Sequence, residues 1–255
     1  MMATLSHTLA RTVTIRAAQS TVFRHFTDSA RWAAWWGAGS TIDARPGGRV
    51  YVRYVDGTEA SGEVVEIDPP RRIVFTYGYA SGKPFGPGDT RVTIDLAPHA
   101  DGTRLTLTHG LPDAASRDEH EQGWRYQLSV FANVAVDEVN ARIADAIDAW
   151  FSAWSITDAA ERTSAFARIA VDSVQFRDRF SCIDGIADLV PHVGAAQHFM
   201  RGIALSRKGS VRHCQGTALA EWTATAPDGQ ARGAGTNVFV VNADGRFVAI
   251  TGLWN

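Results

Sequence analysis

The 255-residue chain reads as an α+β protein with two domains in tandem. Three observations predict this. Extended runs dominate 49–109, with turn signals Asp56-Gly57 and Asp101-Gly102 between them, the pattern of an antiparallel meander. No proline occurs between Pro112 and Pro191, and helical apolar stripes fill much of that gap. After it the order of elements restarts differently: helices, a strand, a helix, then four more strands with turns at Asp228-Gly229 and Asp244-Gly245. At roughly 100–200 residues per domain the length fits two ordinary domains.

In the first half, Leu9–Ile15 reads as a strand. Ser20 is positioned to cap a short helix through Phe26, and Trp32, Trp35 and Trp36 sit on a second short helix. Strands are expected over 49–54, 60–67, 72–79, 90–96 and 104–109. Trp124, Leu128, Phe131 and Ala135 fall on one face of a long helix. A new stripe, Val139, Ile143, Ile147, Phe151 and Trp154, begins after the polar stretch Asp137–Asn140. The boundary is therefore placed at about 136–141, giving domains 1–138 and 139–255 joined with little or no linker. In the second half, helices are expected over 140–154, 159–170 and 186–199, and strands over 173–180, 205–215, 217–226, 232–242 and 246–254. The fold predicted is a sheet around a long helix, followed by a curved antiparallel sheet with three helices.

Composition narrows the function. The charge balance is −2 and no basic stripe stands out, which argues against a nucleic-acid or anionic-membrane partner. No apolar run reaches the roughly 18 residues of a membrane helix, and Met1–Arg11 does not read as a secretory signal. Two cysteines, Cys182 and Cys214, are too few for a disulfide framework and fit the cytoplasm. Eight tryptophans, twelve phenylalanines and five tyrosines suit large cores and apolar pockets.

Residues 8–135 resemble the START-related SRPBCC superfamily, in its branch homologous to the heat-shock-protein-90 ATPase activator. The residues that carry the resemblance are Val22-Phe23, Thr27-Asp28, Trp35-Trp36-Gly37, the run Gly62–Arg72, Gly102-Thr103-Arg104-Leu105, and His120 with Gly123-Trp124. The resemblance implies a helix-grip fold with an internal cavity that takes apolar ligands in some members. Residues 140–255 resemble the SnoaL-like branch of the nuclear-transport-factor-2-like superfamily, through Phe176-Arg177-Asp178, Gly185-Ile186, Gly233, Gly235-Thr236-Asn237 and Gly252-Leu253-Trp254. That implies a cone with a pocket at its open end. Polyketide cyclases, ketosteroid isomerases, dehydratases and non-enzymatic members share the fold, so the fold alone does not name a reaction.

Strand alternation puts Phe176, Asp178 and Phe180 on one face, expected to be the buried one. A carboxylate there would be desolvated, which raises its pKa and suits a general base. The other reading is a carboxylate satisfied by backbone N–H groups of a Ser181–Gly185 loop. The resemblance implies the first role, since ketosteroid isomerases place their proton-shuttling aspartate at this position. Their oxyanion tyrosine corresponds to Trp150 here, and their second oxyanion acid to Asn237, whose amide can donate to an enolate-like oxygen. Phe239 shares the strand face of Asn237 and is a candidate pocket contact. His192 and His198 are candidate pocket contacts; six apart, they do not share a helix face, and no third metal ligand accompanies them. Trp222 and Trp254 are candidate pocket walls. In the first domain Glu63, Tyr77, His109 and Trp124 are candidate contacts in a second cavity. No P-loop, dinucleotide fingerprint or zinc motif is present, so no cofactor or metal is expected.

The function expected is handling of a small, largely apolar molecule, as a cofactor-independent isomerase, cyclase or dehydratase with Asp178 as base and Asn237 as oxyanion donor. A non-catalytic carrier and a chaperone-associated interaction module are the alternatives. Homodimerisation through the second domain is expected, because sheets of this superfamily commonly pair.

Overall fold

A computed structural model describes residues 5–255. Residues 1–4, the start of the segment read as lacking a secretory pattern, lie outside the described residues. The chain divides into two compact units, one ending at Val136 and the other spanning Asp137–Asn255.

The N-terminal unit is built on strands β1 (His7–Ile15), β2 (Thr41–Ile42), β3 (Arg49–Arg53), β4 (Glu59–Asp68), β5 (Arg72–Tyr77), β6 (Thr90–His99) and β7 (Gly102–Leu111). They form one sheet in the order β1-β7-β6-β5-β4-β3-β2, antiparallel throughout the described pairings. Helices α1 (Gln19–Arg24) and α2 (Ser29–Trp36) follow β1, and α3 (Ala114–Val139) closes the unit. The expected cap at Ser20 is not formed: the helix starts one residue earlier, behind Ala18, with no side-chain cap. Asp28 does cap α2, accepting the Arg31 N–H at 2.9 Å. The predicted stripe of α3 is buried at Trp124, Leu128, Phe131 and Ala135. It meets the α1–α2 aromatics, with Phe26 stacked on Phe131 at 4.9 Å and Trp35 edge-on to the same ring at 4.9 Å. Gly62 is needed for close strand approach, because a Cβ there would lie 1.8 Å from the Thr76 carbonyl oxygen.

The C-terminal unit carries α4 (Ile143–Ala153), α5 (Ala159–Ile169), β8 (Ala170–Asp178), β9 (Ser181–Asp184), α6 (Ile186–Phe199), β10 (Ala204–Cys214), β11 (Thr217–Thr225), β12 (Ala231–Val241) and β13 (Phe247–Trp254). The sheet order is β10-β11-β12-β13-β8-β9. It departs from the antiparallel expectation at one place: β13 and β8 run parallel, which brings the end of the chain beside Phe176 and Arg177. The segment 181–184, expected as loop, is strand β9, paired directly back onto β8. Arg162 is buried on α5 and ties the helices together, donating to Val190 O at 3.1 Å and Ile156 O at 2.6 Å. Asp148 on α4 pairs with Arg207 on β10 through two 2.8 Å hydrogen bonds. Among the described residues no helix is long and apolar enough to cross a membrane.

Candidate functional site

The C-terminal unit holds a cavity of about 510 Å³, in the range of small-molecule sites. Its floor is the inner face of the sheet and its side is formed by α4 and α6. The walls are mostly aromatic and aliphatic: Trp150, Phe151, Trp154, Phe176, Trp222 and Trp254. Asp178, Ser181, His192 and Asn237 supply the polar side chains in this lining.

Asp178 ends β8 and is half-buried. Its Oδ1 accepts the Phe180 N–H at 2.8 Å and its Oδ2 accepts the Trp254 indole N–H at 3.2 Å. A carboxylate has about four lone-pair sites, so it keeps acceptor capacity beyond these two bonds. Asn237 is buried on β12, and its Oδ1 accepts the Trp222 indole N–H at 2.9 Å. An indole N–H only donates, so it fixes which amide atom is oxygen and leaves the Nδ2 donor on the other side. Gly252 pairs with Asn237, and a Cβ there would lie 3.1 Å from both Asn237 Oδ1 and Asp178 Cβ. The bare backbone of β13 thus lies against both side chains. Across the β8–β9 turn, Ser181 faces Asp178 in register and its Oγ lies 2.9 Å from His192 Nε2.

The structure brings together Asp178, Asn237, Trp150, Phe176, His192, Trp222 and Trp254. Three second-unit expectations are corrected. Phe180 is 68% exposed: β8 stops at Asp178, so strand alternation does not extend to it. It sits in the turn at the cavity mouth, edge-on to Trp254 at 5.3 Å. Phe239 is core, not lining, packed on Trp150, Phe151 and Phe247. His198, a candidate pocket contact, is exposed near the end of α6 and outside the lining, because it lies about 240° around the helix from His192. The burial assigned to Asp178 is also revised. Its donors are the turn N–H and an indole, not a loop over 181–185, and it is not enclosed between two phenylalanines. Sequence reasoning missed Ser181, because the tight β8–β9 hairpin carries no Asn-Gly or Asp-Gly signal.

The N-terminal unit has a second cavity, about 550 Å³, between α3 and the sheet end that carries Tyr54, Tyr77 and Tyr79. Tyr77 and Trp124 line it as expected. Glu63 does not: it is exposed, because the buried phase of β4 runs through Val64 and a bulge follows between Val64 and Glu66. His109 stands behind the wall instead of in it, fully buried, with Nδ1 accepting the Trp124 indole N–H at 3.0 Å. Its Nε2 therefore carries the proton and donates to Thr90 Oγ1 at 2.8 Å, and that hydroxyl donates to Tyr77 O at 2.7 Å. Burial, and then the charge of His120, pull the His109 pKa down to about 3. Tyr54 and Tyr77 hydroxyls meet at 2.5 Å, and Tyr79 meets His120 Nε2 at 3.0 Å. Burial pushes the pKa of all three phenols up, so they are neutral. Tyr79 was detectable in the sequence, two residues after Tyr77 on an alternating strand. Tyr54 was not, since it lies in the β3–β4 turn. Among the described residues no cluster of three or more metal-ligating side chains occurs.

Residues 16–135 match the family model described as Activator of Hsp90 ATPase homolog 1-like protein, a match that falls within the N-terminal unit. No curated protein matches the chain. Among solved structures, an AHSA1 protein from Silicibacter pomeroyi is 26% identical, with 49% of this chain and 95% of that one covered and a TM-score of 0.41. The Aha1 dimer from Colwellia psychrerythraea is 14% identical over 48% of this chain and 90% of that one, TM-score 0.42. A protein of the SnoaL-like family from Agrobacterium tumefaciens str. C58 is 19% identical over 44% of this chain and 96% of that one, TM-score 0.42.

Proposed function

We propose that the C-terminal cavity binds a small, largely apolar molecule and catalyses cofactor-independent proton transfer at carbon, as an isomerase, cyclase or dehydratase. The observation that carries this reading is that Asp178 and Asn237 line one apolar cavity, with the Asn237 carbonyl oxygen engaged by Trp222. The amide N–H is then set to receive a developing oxyanion. In this mechanism the Asp178 carboxylate takes a proton from a carbon next to a carbonyl. The carbonyl oxygen gains the electron pair as an enolate, steadied by Asn237 Nδ2 and the Trp150 indole. The proton then returns from Asp178 to the same or a conjugated carbon. Apolar walls keep water from competing. Homodimerisation through this unit and a cytoplasmic setting belong to the same reading. The 56% exposure of Leu253 on β13 supports an apolar contact outside the cavity. Light scattering at tens of micromolar tests it, and a strictly monomeric mass would overturn it.

The second reading is binding without turnover, favoured by the two donors already placed on Asp178. One experiment separates the readings. The full chain is incubated in D2O with any ligand that co-purifies, identified by native mass spectrometry, and with a panel of small cyclic ketones. Deuterium entry next to the carbonyl is followed by NMR. The catalytic reading expects exchange with the wild type, loss of at least a hundredfold in Asp178→Asn, and unchanged binding. Tight binding with no exchange in the wild type overturns it in favour of a carrier.

A further inference from the structure

A box of aromatic rings lines the N-terminal cavity. Tyr54 stands at 90° to Trp36 with centroids 5.8 Å apart, and Trp124 at 71° and 5.5 Å. Tyr77 lies near-parallel to Trp36 at 6.3 Å, and Tyr79 meets Tyr77 at 75° and 5.6 Å. Adjacent walls thus meet near right angles. Two carboxylates, Asp56 and Glu119, join the lining against a single lysine, Lys83. The negative charges of both are felt at Tyr79, and that of Asp56 at Tyr54. The phenols are neutral, so Lys83 offsets one of the two acids and the lining keeps a negative balance. Trp36 is 5% exposed, and its indole N–H has no hydrogen-bond partner among the described residues. A buried donor without an acceptor is costly, and a bound acceptor would satisfy it.

We propose that this cavity is a binding site for a small quaternary or alkylated ammonium compound that carries an oxygen acceptor. Ring faces present their negative quadrupole to a cation whose charge is spread over methyl groups, an attraction that strengthens when both are removed from water. Asp56 and Glu119 add long-range attraction, and the Trp36 N–H donates to the oxygen. An apolar neutral molecule would gain the wall contacts but neither the quadrupole nor the carboxylate attraction, and an anion would be repelled. This site shares no residue with the C-terminal cavity, and its ligand is of a different class.

Choline and its uncharged isostere 3,3-dimethyl-1-butanol have the same shape and the same hydroxyl, which makes them the discriminating pair. Isothermal titration of the full chain should give choline binding at least tenfold tighter than the isostere. Tyr54→Leu should abolish that preference, whereas Tyr54→Phe, which keeps the ring, should retain it. Asp56→Asn with Glu119→Gln, both at exposed positions, should weaken choline severalfold and flatten its salt dependence. Trp36→Phe should weaken choline while leaving tetramethylammonium unchanged, because only choline offers an oxygen. Equal affinity for choline and the isostere would overturn the proposal, as would the absence of binding by choline and tetramethylammonium at millimolar concentration in folded wild-type protein.

Discussion

The Trp222 indole N–H donates to Asn237 Oδ1 at 2.9 Å between neighbouring strands, and both side chains are buried. Each is the other's orienting partner: the indole fixes the amide rotamer, and the amide satisfies the indole. Trp222→Phe keeps an aromatic wall but leaves the Asn237 carbonyl without its donor. An unsatisfied buried acceptor costs about 1–3 kcal/mol. Urea denaturation of the variant should show a loss in that range, together with a tenfold or greater fall in deuterium exchange as the amide loses its fixed orientation. A stability change under about 0.5 kcal/mol would show that the amide finds another partner and that the pairing does not govern its orientation.

Gly252 offers a second handle on the same geometry. A Cβ at this position would sit 3.1 Å from Asn237 Oδ1 and 3.1 Å from Asp178 Cβ, so both side chains must shift by a few tenths of an ångström to admit it. Small displacements of catalytic groups lower rates far more than they lower stability. Gly252→Ala is therefore expected to fold with a stability within about 1.5 kcal/mol of wild type while losing about tenfold or more in exchange. Unchanged exchange in that variant would mean that Asp178 and Asn237 do not act on one substrate.

The long elements of both units were legible because their apolar periodicity is sustained, as on α3 and in the alternating strand β11 with Ala218, Ala220, Trp222 and Ala224 buried. What escaped was local. Ser20 looked like a cap, but the helix begins before it. The Phe176–Asp178–Phe180 alternation breaks where β8 turns into β9, so Phe180 faces solvent at the cavity mouth instead of the core. A single bulge in β4 was enough to put Glu63 outside. The second-unit site was readable in part, because Asp178, Asn237, Trp222 and Trp254 lie on strands whose facing follows from alternation. Their indole–acceptor bonds were not, since Trp222–Asn237 depends on the β11–β12 register and Trp254–Asp178 on the parallel pairing of β13 with β8. The aromatic box was invisible as a group, because Trp36, Tyr54, Tyr79 and Trp124 come from a helix, a turn, the segment just past the end of β5 and a second helix.

The buried relay from Trp124 through His109 and Thr90 to the Tyr77 carbonyl sets a pH dependence whose sign can be worked out. His109 Nδ1 accepts the Trp124 N–H and its Nε2 donates to Thr90, so the folded protein holds the ring neutral. Burial first, and the His120 charge second, bring its pKa to about 3. The unfolded chain has an ordinary histidine, titrating near 6.5. Between these two values the unfolded state binds a proton that the folded state does not. The stability contributed by the neutral ring is fully present above about pH 6.5 and is lost as the pH falls toward 3, at a limiting slope of about 1.4 kcal/mol per pH unit. His109→Gln, which keeps an acceptor and a donor but does not titrate, should lose that part of the slope between pH 6.5 and the acid transition. The His109 ring resonances of the wild type should stay those of a neutral imidazole down to at least pH 5. A His109 resonance titrating with a midpoint near 6.5, or an acid slope identical in wild type and variant, would show that the ring takes up a proton in the folded protein and that Nδ1 is not held as the acceptor of the Trp124 N–H.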